Sequence, residues 1–138
     1  MAVTVTRIPL DAPGWMIPLP WGGLLRTAAG RQIDRFIRVP FTTHAGHAGG
    51  RWVSPLWMDR RDYLDVRKNP FFTHAEVACF VASKDGRDVG RIAAVHDRDW
   101  ETTQGDKVGS FGFFDCVDDQ EVADALFAAA RAFLVEQG

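Results

Sequence analysis

Lys107-Val-Gly-Ser-Phe-Gly-Phe-Phe-Asp-Cys-Val117 runs directly into an alanine-rich stretch that ends in Glu136-Gln-Gly138. The pair reads as one strand feeding one helix. Val122, Ala125, Leu126, Ala129, Ala130, Phe133 and Leu134 recur at i, i+3, i+4, i+7, i+8, i+11 and i+12, the buried face of a long C-terminal helix. In the strand, Phe111 and Phe113 are expected on one face and Phe114 and Cys116 on the other. Both faces then require cover, which places the strand inside its layers. A strand, tight turn and helix is also where many α/β proteins hold a phosphate-bearing ligand.

Upstream of this unit lies a hairpin. Glu76 to Ser83 and Asp88 to His96 are rich in Val, Ile, Phe, Ala and Cys and are joined by Lys84-Asp85-Gly86-Arg87, whose Asp-Gly predicts a two-residue turn. Val77, Cys79 and Val81 alternate with Ala78, Phe80 and Ala82, so both faces of the sheet are apolar. The expected fold class is therefore α+β in three layers, an antiparallel sheet with helices on both faces and a long helix at its C-terminal end.

Further toward the N-terminus, Ile33, Phe36 and Ile37 predict a helix that stops before Pro40, and Met58 to Asp65 predict a short one. Asn69-Pro70-Phe71-Phe72 ends that segment, and Asp97 to Asp106 reads as a polar loop holding Trp100. Residues 1–23 give a short strand through Val3 and Val5, then a proline-rich arm with Trp15 and Trp21, expected to pack on grooves of the domain's own surface or else to meet a partner. Leu24 to Ala28 is expected to be a strand, and the chain divides into this arm and a main unit from 24 to 138.

At 138 residues the chain suits one domain, and a formal charge of −2 provides no field that would draw it to nucleic acid or an anionic membrane. Cys79 and Cys116 lie in apolar strand-like runs, where small buried thiols are commoner than disulfides. Reduced thiols, no apolar run of bilayer-spanning length and no signal-like N-terminus predict a cytoplasmic protein. His44 and His47, three apart in a glycine-rich loop, lack the further ligands a metal requires, so no metal is expected. Arg60 and Arg61 alternate with Asp59 and Asp62 as a solvated face, and His74 and His96 read as surface or capping residues at strand ends. Asp118 followed by Glu121 has the form of a capping box for the last helix. The chain contains no P-loop, Gly-x-Ser-x-Gly elbow or Cys-x-x-Cys.

Asp59-Arg-Arg-Asp-Tyr-Leu-Asp65, Lys68-Asn-Pro-Phe-Phe72, His74-Ala-Glu76, Gly90-Arg-Ile-Ala-Ala94 and Gly105-Asp-Lys-Val-Gly-Ser-Phe-Gly-Phe-Phe-Asp-Cys116 occur in that order. Together they resemble the N-terminal half of bacterial proteins of the GNAT-like acyl-CoA N-acyltransferase superfamily, over roughly Leu24 to Gly138. The resemblance implies acetyl-CoA or another acyl-CoA as cofactor and transfer of an acyl group to an amine. It places the pantetheine on the backbone of Phe113, Phe114, Asp115 and Cys116, with Asp115 as the candidate catalytic base. Such proteins carry a glycine-rich turn that grips the diphosphate, where this chain reads Val117-Asp-Asp-Gln-Glu121. Tyr63, the single tyrosine, stands outside the region of the superfamily's general-acid tyrosine. The superfamily's later strands would follow Gly138. The Lys107–Val117 strand is accordingly expected at an edge, covered by the N-terminal arm, by a second copy in a homodimer or by a partner chain, unless the sequence is a piece of a longer one. The alternative to an enzyme is a catalytically silent domain that works through this edge.

Overall fold

The Asp85-Gly86 turn builds the centre of the sheet. Both residues take positive φ, 54° and 73°, the backbone twist that joins antiparallel strands through two residues. The computed structural model describes residues 2–10, 16–45 and 51–138. Its elements are β1 (Thr4–Ile8), β2 (Met16–Pro18), β3 (Leu24–Arg26), α1 (Ala28–Thr43), α2 (Trp57–Leu64), β4 (Ala75–Lys84), β5 (Arg87–Asp97), α3 (Arg98–Gln104), β6 (Gly109–Cys116) and α4 (Gln120–Gln137). A 3-10 turn at Pro70–Thr73 precedes β4.

The main sheet runs β1-β4-β5-β6, antiparallel throughout. Alternation of the strands divides its apolar residues between two cores. Cys79, Val81 and Ala93 meet Ile33, Phe36, Ile37 and Val39 of α1. Ala78, Phe80, Ala82, Ile92 and Ala94 meet Val122, Leu126, Ala130 and Phe133 of α4. The architecture is α+β with helices on both faces and a long C-terminal helix, as the apolar patterning predicts.

Several local expectations are corrected. The short N-terminal strand lies in the main sheet beside β4, whereas Leu24–Arg26 pairs with Met16–Pro18 in a separate two-stranded ribbon. Asp97 to Asp106 is not a loop. Asp97 accepts from the Asp99 amide as N-cap, Asp99 and Glu101 sit in the first turn, and Gly105 ends α3 at φ 78°. Helix α1 continues through Pro40 to Thr43. Trp21 stands exposed, and Trp15 lies outside the described residues. Ion pairs fasten the outer elements: Asp34 joins Arg26 and Arg61, and Asp88 joins Arg35 while also accepting a hydrogen bond from the Ser83 hydroxyl. Burial pushes the Asp34 and Asp88 carboxyls upward, but hydrogen bonds from these partners outweigh it and hold both below the ordinary carboxylate value.

Gly90 lets α4 approach the sheet. A Cβ there would lie 2.8 Å from Leu126 Cδ1 and 3.2 Å from both Val122 Cγ1 and the Asp115 carbonyl. Gly112, by contrast, has open space at its Cβ position. Gly90→Ala is therefore expected to cost about 1–3 kcal/mol in urea unfolding. Gly112→Ala should stay within about 0.5 kcal/mol of the parent. Equal midpoints for the two variants would refute this seating of α4.

Candidate functional site

Strand β6 does not keep its register. Asp115 stands opposite Arg91 and Gly112 opposite Ala93, so Phe113 and Phe114 together face the single residue Ile92. This is a β-bulge, and it holds Phe113 at φ 51°, a left-handed conformation that a bulky side chain rarely adopts. The extra residue resets the alternation. Phe111, Phe114 and Cys116 lie on the α4 side, where Phe111 and Phe114 meet Phe127 at 5.1 and 4.8 Å between ring centroids. Phe113 turns to the α1 side, against Phe36 at 5.8 Å and Tyr63 at 5.7 Å. The expectation that Phe111 and Phe113 share a face is thus corrected, because strict period two holds only where no residue is inserted. Asp115 follows Phe113 onto the α1 side.

There it meets Arg91, which is 7% exposed. Arg91 Nε and Nη2 donate to Asp115 Oδ2 at 3.0 and 2.9 Å. Its Nη1 donates to the carbonyl of Phe36 at 3.2 Å, and its guanidinium lies 5.0 and 5.3 Å from the ring centroids of Phe36 and Phe113. The Phe36 carbonyl is open to this bond for a reason written in the sequence: its helical donor would be the amide of residue 40, and Pro40 has none. A proline expected to end α1 instead leaves a buried acceptor inside it, which an arginine from the sheet satisfies. Burial draws the Arg91 pKa down and Asp115 opposes that shift; a guanidinium titrates so far above neutrality that it remains charged.

The extra turn after Pro40 places His44 as the C-cap of α1, its amide donating to the Pro40 carbonyl. His44 Nε2 lies 3.0 Å from Asp115 Oδ1, and the imidazole stacks on Trp52 with centroids 5.0 Å apart and planes 4° from parallel. Both Asp115 oxygens are therefore engaged, one by arginine and one by histidine. A carboxylate accepts hydrogen bonds, so Nε2 carries the hydrogen of the neutral ring and Nδ1 the lone pair. His44, Asp115, Thr43, Phe114 and the turn Cys116 to Gln120 line a cleft of about 570 Å³ between the end of α1 and the start of α4. A second cleft, of about 640 Å³, lies at the other end of the sheet beneath Leu10, Phe72 and Phe133 and, among the described residues, has no histidine in its lining.

The other titratable candidates fall elsewhere. His74 pairs with Asp97 and His96 with Glu76, which also takes an ion pair from Arg98, so these groups anchor α3 and the 3-10 turn. His47 lies outside the described residues. Among the described residues no group of three or more His, Cys, Asp or Glu could hold a metal ion, and no helix is long and apolar enough to cross a membrane. Cys79 is pushed up to about 12 by burial. Burial, with Asp119 and Asp118 beside it, also raises Cys116, whose Sγ donates to the Val117 carbonyl. Both thiols are kept protonated and poorly nucleophilic.

The turn into α4 does not fit a diphosphate. Asp119, rather than Asp118, is the N-cap, and its Oδ1 accepts from the Glu121 amide. Lys84 reaches this turn but is held by Asp119 at 2.7 Å and Glu121 at 3.1 Å. Asp118 adds an exposed negative charge. The Glu121 amide and the Lys84 cation thus already have partners, and carboxylates crowd the turn where a phosphate would sit. Of the residues chosen from the sequence, Asp115, Phe114 and Cys116 line the cleft, while the Phe113 side chain turns into the α1 core. Arg91 and His44 were not assigned these roles in the sequence. The signal for Arg91 was one basic residue in the apolar run Val89-Gly-Arg-Ile-Ala93, with one acidic residue in Phe113-Phe-Asp-Cys116 on a strand expected to be its neighbour; His44 had none.

The chain is similar to a bacterial ceramide synthase. That protein, from Caulobacter vibrioides, is 42% identical over 108 residues, 78% of this chain and 28% of its own length. Protein YghO of Escherichia coli is 36% identical over 121 residues, 87% of this chain and 30% of its own length. The chain thus spans less than a third of these curated relatives. No family model matches it, and no solved structure does.

Replacing Arg91 by Met keeps the bulk but leaves Asp115 and the Phe36 carbonyl short of donors. A loss of about 2–4 kcal/mol is expected. Asp115→Asn should restore part of it, giving a measurable coupling in a double-mutant cycle. Strict additivity of the two changes would exclude the ion pair as the centre of this face.

Proposed function

We propose that this chain forms part of an N-acyltransferase that joins an acyl group to the amine of a long-chain amino alcohol. The observation that carries the reading is the 42% identity to a protein named as a ceramide synthase, across 78% of this chain. A ceramide is the amide of a fatty acid and a long-chain amino diol, so its synthesis is N-acylation. The resemblance to GNAT-like N-acyltransferases supports the same reaction type. The acidic cleft with its His-Asp pair is suited to an amine, which arrives as a cation and must shed protons to react. An acyl thioester such as acyl-CoA is the proposed donor. The bulged backbone of Phe113 to Cys116, where the ladder is interrupted, is the stretch proposed to meet its amide-bearing arm, and no diphosphate site is assigned to this chain. A cytoplasmic setting, in which both thiols stay reduced, belongs to the same proposal.

Binding of the acceptor gives the test. A long-chain 2-amino-1,3-diol at a hundredfold excess over its Kd should stabilise the chain by about 2.7 kcal/mol, read as a raised Tm. The matching alkane-1,3-diol without the amine should have a much smaller effect. Equal shifts with the two compounds, or none with either, would remove the amine from the account.

A second reading is favoured by β6 itself. It is the last strand of the sheet, the arm's strand β1 lies on the opposite edge, and Phe111 is 56% exposed with Phe114 and Phe127 each 39% exposed beside it. We propose that another strand-bearing polypeptide, a second copy or a partner, covers this edge. Light scattering should report a dimer that Phe111→Asp converts to monomer. A parent chain that is monomeric at high concentration argues against self-pairing.

A further inference from the structure

The carboxylate chosen from the sequence as base is poorly placed for that work. Asp115 Oδ2 is held by two donors from a buried guanidinium, and Oδ1 faces the His44 ring. With both oxygens already accepting from these neighbours, the carboxylate is turned toward Arg91 and His44 and away from the work of a base. The same bonds suit it to orient a neighbour. It fixes which ring nitrogen of His44 holds the hydrogen and how the ring is turned.

We propose that His44 is the proton acceptor of the site, with Asp115, Arg91 and Pro40 as the residues that position it. This rests on the N-acylation reading above. Once the ammonium has lost one proton to solvent, the acceptor nitrogen bonds through its freed lone pair to the activated acyl carbon, a second N–H bond breaks with its electron pair left on nitrogen, and that proton passes to His44 Nδ1. The bond from the acyl carbon to its leaving group breaks, and that group departs with the bonding pair. The proton then leaves His44 for the leaving group, so that an amide and a protonated leaving group are formed and the ring is neutral again.

The placement is built in steps from the chain. Pro40 removes one amide from α1 and frees the Phe36 carbonyl; Arg91 bonds that carbonyl and so stands at a fixed depth beneath the helix. From there it holds Asp115, which the bulge has brought to the same face. One helical turn beyond Pro40, His44 meets the other Asp115 oxygen, and Trp52 fixes the ring plane. His74 and His96 also pair with carboxylates, but neither lines this cleft.

The test reads the ring directly, without turnover. In chain labelled with ¹⁵N-histidine, His44 should show the Nε2–H tautomer at pH 8. Diethyl pyrocarbonate, located by peptide mass spectrometry, should modify His44 several-fold faster than His74 or His96, and Asp115→Asn should slow His44 several-fold while leaving the other two unchanged. Arg91→Lys, which keeps the charge, should lie between. An Nδ1–H tautomer, or a His44 rate insensitive to Asp115→Asn, overturns the assignment. Either result leaves amine binding to be judged by its own Tm shift, so failure of the base and failure of the N-acylation reading are told apart.

Discussion

A guanidinium that is almost wholly out of water dictates much of this structure. Arg91 sits in the middle of an apolar strand, and a charge there is tolerated only with its donors satisfied and a counter-charge at hand. Three separate parts of the chain meet that demand: a helix carbonyl freed by proline, a carboxylate from the neighbouring strand, and two aromatic faces. The cost of burying the ion is the reason these parts must assemble together. The face of the sheet beneath α1 is in this sense organised around polar chemistry, whereas the face beneath α4 is held by small residues and close packing.

The bulge in β6 gives this chemistry its outlet. Under strict alternation of the same sequence, Asp115 would share a face with Phe111. With the bulge, Asp115 lies with Arg91 on the α1 side and Phe111 and Phe114 gather beside Phe127 on the other. One irregularity thus separates a polar cleft from an exposed aromatic edge. The left-handed conformation at Phe113 carries a backbone cost of about 1–2 kcal/mol, which the ring recovers by packing among Phe36, Tyr63 and Arg91.

What the chain offers to a reaction is correspondingly one-sided. It brings an oriented imidazole and an acidic rim to one cleft, features that suit a cationic acceptor. At the start of α4, where a diphosphate could bind, carboxylates and a lysine already satisfy one another. A chain that spans under a third of its relatives need not carry every contact of the reaction proposed for it.

The apolar spacing of α4, the Asp-Gly turn and the two-faced strands determined the layers, because burial of apolar surface at a fixed period is a local property of the sequence. The poor suitability of the turn after β6 for phosphate was legible from its carboxylates, whereas the edge position of β6 was expected only from the resemblance. What the tertiary structure alone decided is the site. Pro40, by the usual rule, ends a helix; it does not do so here because a side chain 51 positions later takes the carbonyl it leaves open. His44 looked like a failed metal ligand until Asp115, far along the chain, came within 3.0 Å of it. Such pairings depend on a bulge and on contacts between distant segments, and no periodicity in the sequence encodes them.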